Sequence, residues 1–103
     1  SAVKEMVVGK VADIPKNSAK NVKFGSIPAI VINDAQGNLH AFSAKCPHLG
    51  CTVAYKGDIS KIYCACHGGM YDPQSGKNIA GPPPKPLDPL KVAIVNDEIV
   101  ISR

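Results

Sequence analysis

All four cysteines of this 103-residue chain fall between positions 46 and 66, and two of its three histidines fall among them. They make two short sets, Cys46-Pro47-His48-Leu49-Gly50-Cys51 and Cys64-Ala65-Cys66-His67-Gly68-Gly69. Cys46-x-His48 and Cys64-x-x-His67 each offer one thiolate and one imidazole on a short loop. Cys51 and Cys66 are left over, one beside each pair. Thiolate and imidazole are the side chains that bind soft and borderline metals.

Three chemistries compete for this pattern. A disulfide scaffold would pair Cys46 with Cys64 and leave both histidines incidental. A structural zinc site could use two Cys and two His, but a zinc finger groups the two Cys and then the two His. Here each half carries one of each. A mixed-ligand [2Fe–2S] cluster takes two Cys on one iron and two His on the other. Each loop would then supply one ligand to each iron.

At this point the residues resemble a known family. CPHLGC and CACHGG are similar to the two boxes of Rieske proteins, C-x-H-x-G-C and C-x-C-H-x-G/S, and a double box is far more specific than a lone CxxC. The resemblance extends over the domain, with strands before the boxes and a Gly-Pro loop and closing hairpin after them. It implies that Cys46 and Cys64 bind one iron, and His48 and His67 the other. It also implies a Cys51–Cys66 disulfide bracing the two loops, as in one branch of the family. Such a bridge closes a loop of about 16 residues, worth roughly 3 kcal/mol in the chain-entropy model, and fits an oxidising compartment.

The implied ligand set has an electrostatic consequence. Two ferric ions, two sulfides and two thiolates sum to zero charge, whereas four thiolates would leave the cluster doubly negative. An added electron is therefore less opposed, and potentials run roughly from −150 to +300 mV against about −400 mV for plant-type ferredoxins. The imidazoles of His48 and His67 can also take up a proton with the electron. That pairing suits a quinol, which gives up both.

Further roles follow from the resemblance. In the respiratory and photosynthetic branch a Ser two residues after the second His donates to a cluster sulfide; here that place is Gly69. A Tyr two residues further on donates to a cysteine sulfur, and Tyr71 fits, although it could be only a core aromatic. A missing donor lowers the potential, because the reduced, more negative cluster loses a hydrogen bond. Gly68-Gly69-x-Tyr71 resembles menaquinol-oxidising members. Gly81, Pro82 and Pro83 open the family's proline loop, which covers the cluster from a third side; the alternative is simple protection of a sheet edge. Leu49 would be an apolar residue beside the histidines, where a quinone ring could dock. His40 sits in a strand pattern and reads as an ordinary histidine, and Asp97 and Glu98 serve only a turn.

The elements that must position these residues are short strands. Lys4 to Val11, Asn21 to Phe24, Pro28 to Ile32 and Leu39 to Phe42 carry β-branched or alternating apolar patterns, with a hairpin turn over 33–38. Thr52 to Tyr55 and Lys61 to Tyr63 flank the turn Lys56-Gly57-Asp58. Turns at 13–18 and 72–76, and the stiff extended Gly81–Pro86, separate these from Lys91 to Val95 and Glu98 to Ile101. The last two form a hairpin on Asn96-Asp97, suited to a type I′ turn. No segment shows a sustained helical period. The fold expected is all-β, an antiparallel sandwich or barrel of short strands. It is a single domain over 1–103, with a small cluster-binding subdomain inserted over 44–72.

The composition excludes several classes. The net charge is +4 with lysines scattered, and no basic stripe with interleaved aromatics suggests nucleic-acid binding. No apolar run is long enough to span a membrane, so membrane association is expected only through a complex or an N-terminal anchor removed before Ser1. The family resemblance implies an electron-transfer domain of a bc-type complex, on the periplasmic or extracytoplasmic side. A quinol, menaquinol-like, would meet it at the cytochrome b subunit, and a c-type cytochrome would take the electron. The domain is not catalytic alone. Alternatives are the small Rieske subunit of an exported oxidoreductase such as arsenite oxidase, or a soluble Rieske ferredoxin serving an oxygenase. Members of the last type typically lack the second cysteine pair.

Overall fold

The computed structural model describes residues 3–47, 50–82 and 85–103. Among them lie ten strands and one 3-10 turn. In chain order these are β1 (Glu5–Lys10), the 3-10 turn (Val11–Asp13), β2 (Ser18–Phe24), β3 (Ile27–Asn33) and β4 (Leu39–Ser43). Then come β5 (Ala54–Lys56), β6 (Lys61–Cys64), β7 (Gly69–Tyr71), β8 (Asn78–Ala80), β9 (Pro89–Val95) and β10 (Glu98–Ser102). The expected all-β architecture is what the chain adopts.

Six strands form one antiparallel sheet in the order β1-β10-β9-β4-β3-β2, and β5-β6-β7-β8 form a second. The larger sheet curls until its edge strands approach. There the Lys20 ammonium of β2 donates to the Val8 carbonyl of β1 at 3.0 Å, leaving a nearly closed barrel.

Strand β3 explains how the two sheets share a core. Successive side chains of a strand point to opposite faces, yet Ala29, Ile30, Val31 and Ile32 are all buried. Ala29 and Val31 pack inside the barrel with Val8, Phe24, Ile99 and Ile101. Ile30 and Ile32 pack on the other face with Phe42, Val53, Ile62, Tyr71 and Leu87. This second cluster also contains Cys46 and Cys64. Burying each such isoleucine stabilises the fold by about 1.5–3 kcal/mol.

Turns set the registers. Asn96 and Asp97 both have positive φ, 49° and 67°, as a type I′ turn requires. In the β3–β4 turn, Asp34 Oδ1 accepts from the backbone N–H groups of Gln36 and Asn38, each at 2.9 Å. Its Oδ2 lies 2.9 Å from His40 Nε2. Asn17 ties the barrel to the second sheet: its Nδ2 donates to the Gly57 carbonyl at 3.0 Å, and its Oδ1 accepts from the Tyr55 hydroxyl at 2.6 Å.

Several boundaries differ from the pattern reading. β2 begins at Ser18, because Ser18 to Lys20 pair with Asn33 to Val31. Val11 leaves β1 for the 3-10 turn, whose Asp13 carboxylate accepts from the Lys10 N–H at 2.9 Å. Lys56 belongs to β5 rather than to the turn, and pairs with Lys61. Thr52 makes only an isolated bridge to Lys45, so the strand expected from Thr52 starts at Ala54. Strands β7 and β8 carry no pattern of their own, being three residues each. Among the described residues no helix is long and apolar enough to cross a membrane.

Candidate metal centre

The first Cys/His loop leaves β4 and is pinched at its base. Ala44 N–H donates to the Pro28 carbonyl, and Val53 N–H donates to the Ala44 carbonyl, both at 2.8 Å. Further out, Cys46 N–H donates to the Cys51 carbonyl at 2.7 Å and Gly50 N–H to the Cys46 carbonyl at 3.0 Å. These bonds turn the chain back on itself and bury Cys46. His48 and Leu49, a ligand and a docking residue on the sequence reading, lie outside the described residues.

The second loop is the β6–β7 hairpin. Cys64 pairs with Gly69 as the last rung, and residues 65–68 make the turn. Gly68 has φ +70° while a Cβ there would meet nothing, so backbone conformation alone favours glycine at this place. Cys64 is buried at the rung, whereas Cys66 and His67 are exposed on the turn.

A disulfide joins the loops: Cys51 and Cys66 are bridged, with Cα atoms 6.5 Å apart. The pairing implied by the family resemblance is therefore the one adopted. Cys46 and Cys64 are buried thiols outside that bridge. The Tyr71 hydroxyl lies 3.4 Å from Cys46 Sγ. Burial, reinforced by this contact, pushes the Tyr71 pKa upward and keeps the phenol protonated. Tyr71 is thus a core aromatic whose hydroxyl is in hydrogen-bond contact with the Cys46 sulfur.

Burial pushes the Cys64 thiol up as well, and neighbouring Cys46 adds to the rise. The backbone N–H groups of Cys66 and His67 are directed at the Cys64 sulfur and partly offset it by favouring the thiolate. A buried thiolate without a counter-charge is costly. Iron removes that cost, so two buried thiols on disulfide-locked loops, with N–H donors aimed at sulfur, fit a cluster bound through thiolates. The sulfurs of Cys51, Cys64 and Cys66 also lie within 4.8 Å of one another. Because two of them are bonded together, that trio is not itself a metal ligand set.

A third segment closes on these loops. A Cβ on Gly81 would sit 2.8 Å from the Gly68 carbonyl oxygen and 2.9 Å from Gly69 Cα, and Gly81 has φ +69°. The backbones meet there with no room for a side chain. A Cβ on Gly69 would lie 3.1 Å from the Pro82 carbonyl oxygen and 3.4 Å from the Tyr71 hydroxyl. Pro83 is outside the described residues. Beyond the prolines, Leu87 is buried and its N–H donates to the Gly76 carbonyl at 2.9 Å. The sequence reading missed the Gly81–Gly68 contact and the Asn17 clamp. Both are contacts between segments distant in the chain, and only the turn-like composition around Asn17 and Gly57 hinted at the second.

Comparison with known proteins agrees with this geometry. Residues 4–97 match the family described as the Rieske [2Fe-2S] domain. The chain is 43% identical over 100 residues to the cytochrome b6-f complex iron-sulfur subunit of Chlorobaculum tepidum, covering 97% of this chain and 54% of that protein. It is 35% identical over 94 residues to iron-sulfur subunit 1 of the same complex in Synechocystis, covering 89% of this chain and 52% of that protein. The chain spans about half the length of these curated relatives. Among solved structures, it superposes on the plasma membrane Rieske protein of Synechocystis with a TM-score of 0.85 at 25% identity, covering 95% of this chain and 99% of that one. The ferredoxin of carbazole 1,9a-dioxygenase from Nocardioides aromaticivorans shares the fold, with a TM-score of 0.81 at 19% identity over 96% of this chain and 97% of that one. Sequence match, disulfide-locked loops and fold coincide: this chain belongs to the Rieske [2Fe-2S] domain family.

Proposed function

We propose that the chain is the cluster-bearing domain of a bc-type complex, accepting electrons from a quinol and passing them to a c-type cytochrome. The observation that carries this reading is its 43% identity, over nearly its whole length, to a protein named as a cytochrome b6-f iron-sulfur subunit. In this proposal Cys46 and Cys64 hold one iron and His48 and His67 the other, within a binding region spanning 44–72 of a single domain over 1–103.

When bound, the cluster supplies a one-electron acceptor at a potential above that of all-cysteine clusters. The chain's own residues do the rest. The N–H groups of Cys66 and His67 stabilise the Cys64 thiolate, and the Tyr71 hydroxyl, 3.4 Å from the Cys46 sulfur, would donate to it as a thiolate. The Cys51–Cys66 bridge fixes the spacing of the two loops. His67 is exposed, so its outer ring nitrogen can exchange a proton with a partner. Gly69 offers no hydroxyl, which favours a lower-potential quinol of the menaquinol kind. The disulfide supports a periplasmic or lumenal location, where thiols are oxidised.

The test is a potentiometric titration of the loaded domain across pH. The expected midpoint lies above about −150 mV and falls as pH rises, as electron uptake coupled to proton uptake requires. A midpoint near the bottom of that range that does not move with pH would favour an oxygenase-serving ferredoxin. A colourless, redox-silent protein that retains zinc would overturn cluster binding altogether.

A further inference from the structure

The sulfur of Cys64 lies within 4.8 Å of both sulfurs of the Cys51–Cys66 disulfide. Cys64 is a thiol, and the bridge is not sealed off from it: Cys51 is half-buried and Cys66 exposed. A thiolate beside a disulfide is the starting arrangement for thiol–disulfide exchange. The loop geometry brings the three together, since Cys64 ends β6, Cys66 lies two residues on in the turn that follows, and Cys51 is bonded to Cys66.

We propose that the cluster-free domain isomerises its own disulfide through Cys64, and that iron at Cys64 is what holds the Cys51–Cys66 pairing. In the step, the Cys64 thiolate forms a bond to one sulfur of the bridge, and the Cys51–Cys66 bond breaks. The displaced sulfur leaves as a thiolate and takes the proton that Cys64 gave up. Attack on Cys66 gives Cys64–Cys66 and frees Cys51; attack on Cys51 gives Cys51–Cys64 and frees Cys66. One disulfide and two thiols are present before and after, so no oxidant or reductant is needed.

The consequence is an order of assembly. Once Cys64 sits in a disulfide it can no longer serve as a ligand, so a domain that has lost its cluster drifts to a form that cannot be reloaded until the exchange reverses. The protective half of this inference rests on the ligand role proposed above for Cys64. The exchange in the cluster-free chain does not.

The experiment is disulfide mapping under anaerobic conditions. The cluster is stripped with an iron chelator, folding is checked by circular dichroism, and thiols are trapped by alkylation at acid pH before peptide mass spectrometry. The stripped, folded wild type should show Cys64 in a bridge with Cys51 or Cys66, two alkylated thiols in total, and Cys46 alkylated. The loaded protein should show Cys51–Cys66 alone. A stripped protein with only Cys51–Cys66, or one with Cys46 in the new bridge, overturns the exchange. Scrambling in the loaded protein would instead overturn Cys64 as an iron ligand. Stripped Cys64→Ser should keep its bridge, and stripped Cys46→Ser should still rearrange.

Discussion

The Tyr71 hydroxyl reaches to 3.4 Å from the Cys46 sulfur from a fully buried position in the core shared by the two sheets. The phenol stays protonated, because burial and the sulfur contact both raise its pKa. Toward a Cys46 thiolate it can only donate, and donation to sulfur is worth more when the sulfur carries more negative charge. Tyr71→Phe should lower the midpoint potential. A hydrogen bond worth about 0.5–1.5 kcal/mol limits the fall to roughly 20–60 mV for a one-electron couple. Redox titration of both proteins checks this, and an unchanged potential would remove Tyr71 from the tuning role.

Gly69 makes the opposite prediction. Gly69→Ser should raise the potential by a similar amount by adding a donor near the cluster. The new Cβ comes to 3.1 Å from the Pro82 carbonyl oxygen, so the proline segment must give by a few tenths of an ångström. Gly69→Ala imposes the same crowding without a hydroxyl. If the alanine variant moves the potential as far as the serine variant, crowding rather than hydrogen bonding is the cause.

Gly81→Ala should loosen the site without touching a ligand. Its Cβ would meet the backbone of residues 68 and 69 inside 3.0 Å, at φ +69°, and backbone cannot step aside cheaply. Strain of this kind costs about 1–3 kcal/mol. The expected outcome is faster loss of visible absorption on chelator challenge and a lower unfolding midpoint. Cluster retention equal to wild type would show that the Gly81 contact does not hold the proline segment in place.

Acid should act through Asp34. Burial alone would raise its pKa, but the N–H groups of Asn38 and Gln36 together with His40 bring it below the ordinary carboxylate value. The contribution to stability is therefore complete above the unfolded value of about 3.9 and is lost as pH falls through the lower folded one. Urea unfolding of the wild type should weaken steeply below about pH 4, while Asp34→Asn, already weaker at neutral pH, should lose less. Parallel curves for the two proteins would contradict this.

What could be read from the sequence, and what could not, follows from range. The cysteine and histidine sets were legible because their chemistry is written in residue types a few positions apart. The Asn96-Asp97 turn was legible because few residues tolerate positive φ in succession. Strands β7 and β8 were not, since three residues carry too little pattern and their pairing is imposed by Cys64 and Gly69 across the hairpin. The approach of Gly81 to Gly68, and of Cys64 to Cys51, arises only when separate segments meet. His48, Leu49 and Pro83 fall outside the described residues, so their expected places in the site rest on the sequence alone.

Strand β3 carries side chains into both cores, Ala29 and Val31 into one, Ile30 and Ile32 into the other. A shared wall of this kind makes the two halves mechanically inseparable. The cluster-bearing half cannot be excised as an autonomous fragment, because its floor is the barrel's own strand. A cavity cut at Ile30 would be felt beneath the cysteines, whereas one cut at Val31 would first soften the barrel. Neighbouring positions on a single strand thus offer two handles, one for the redox half and one for its foundation.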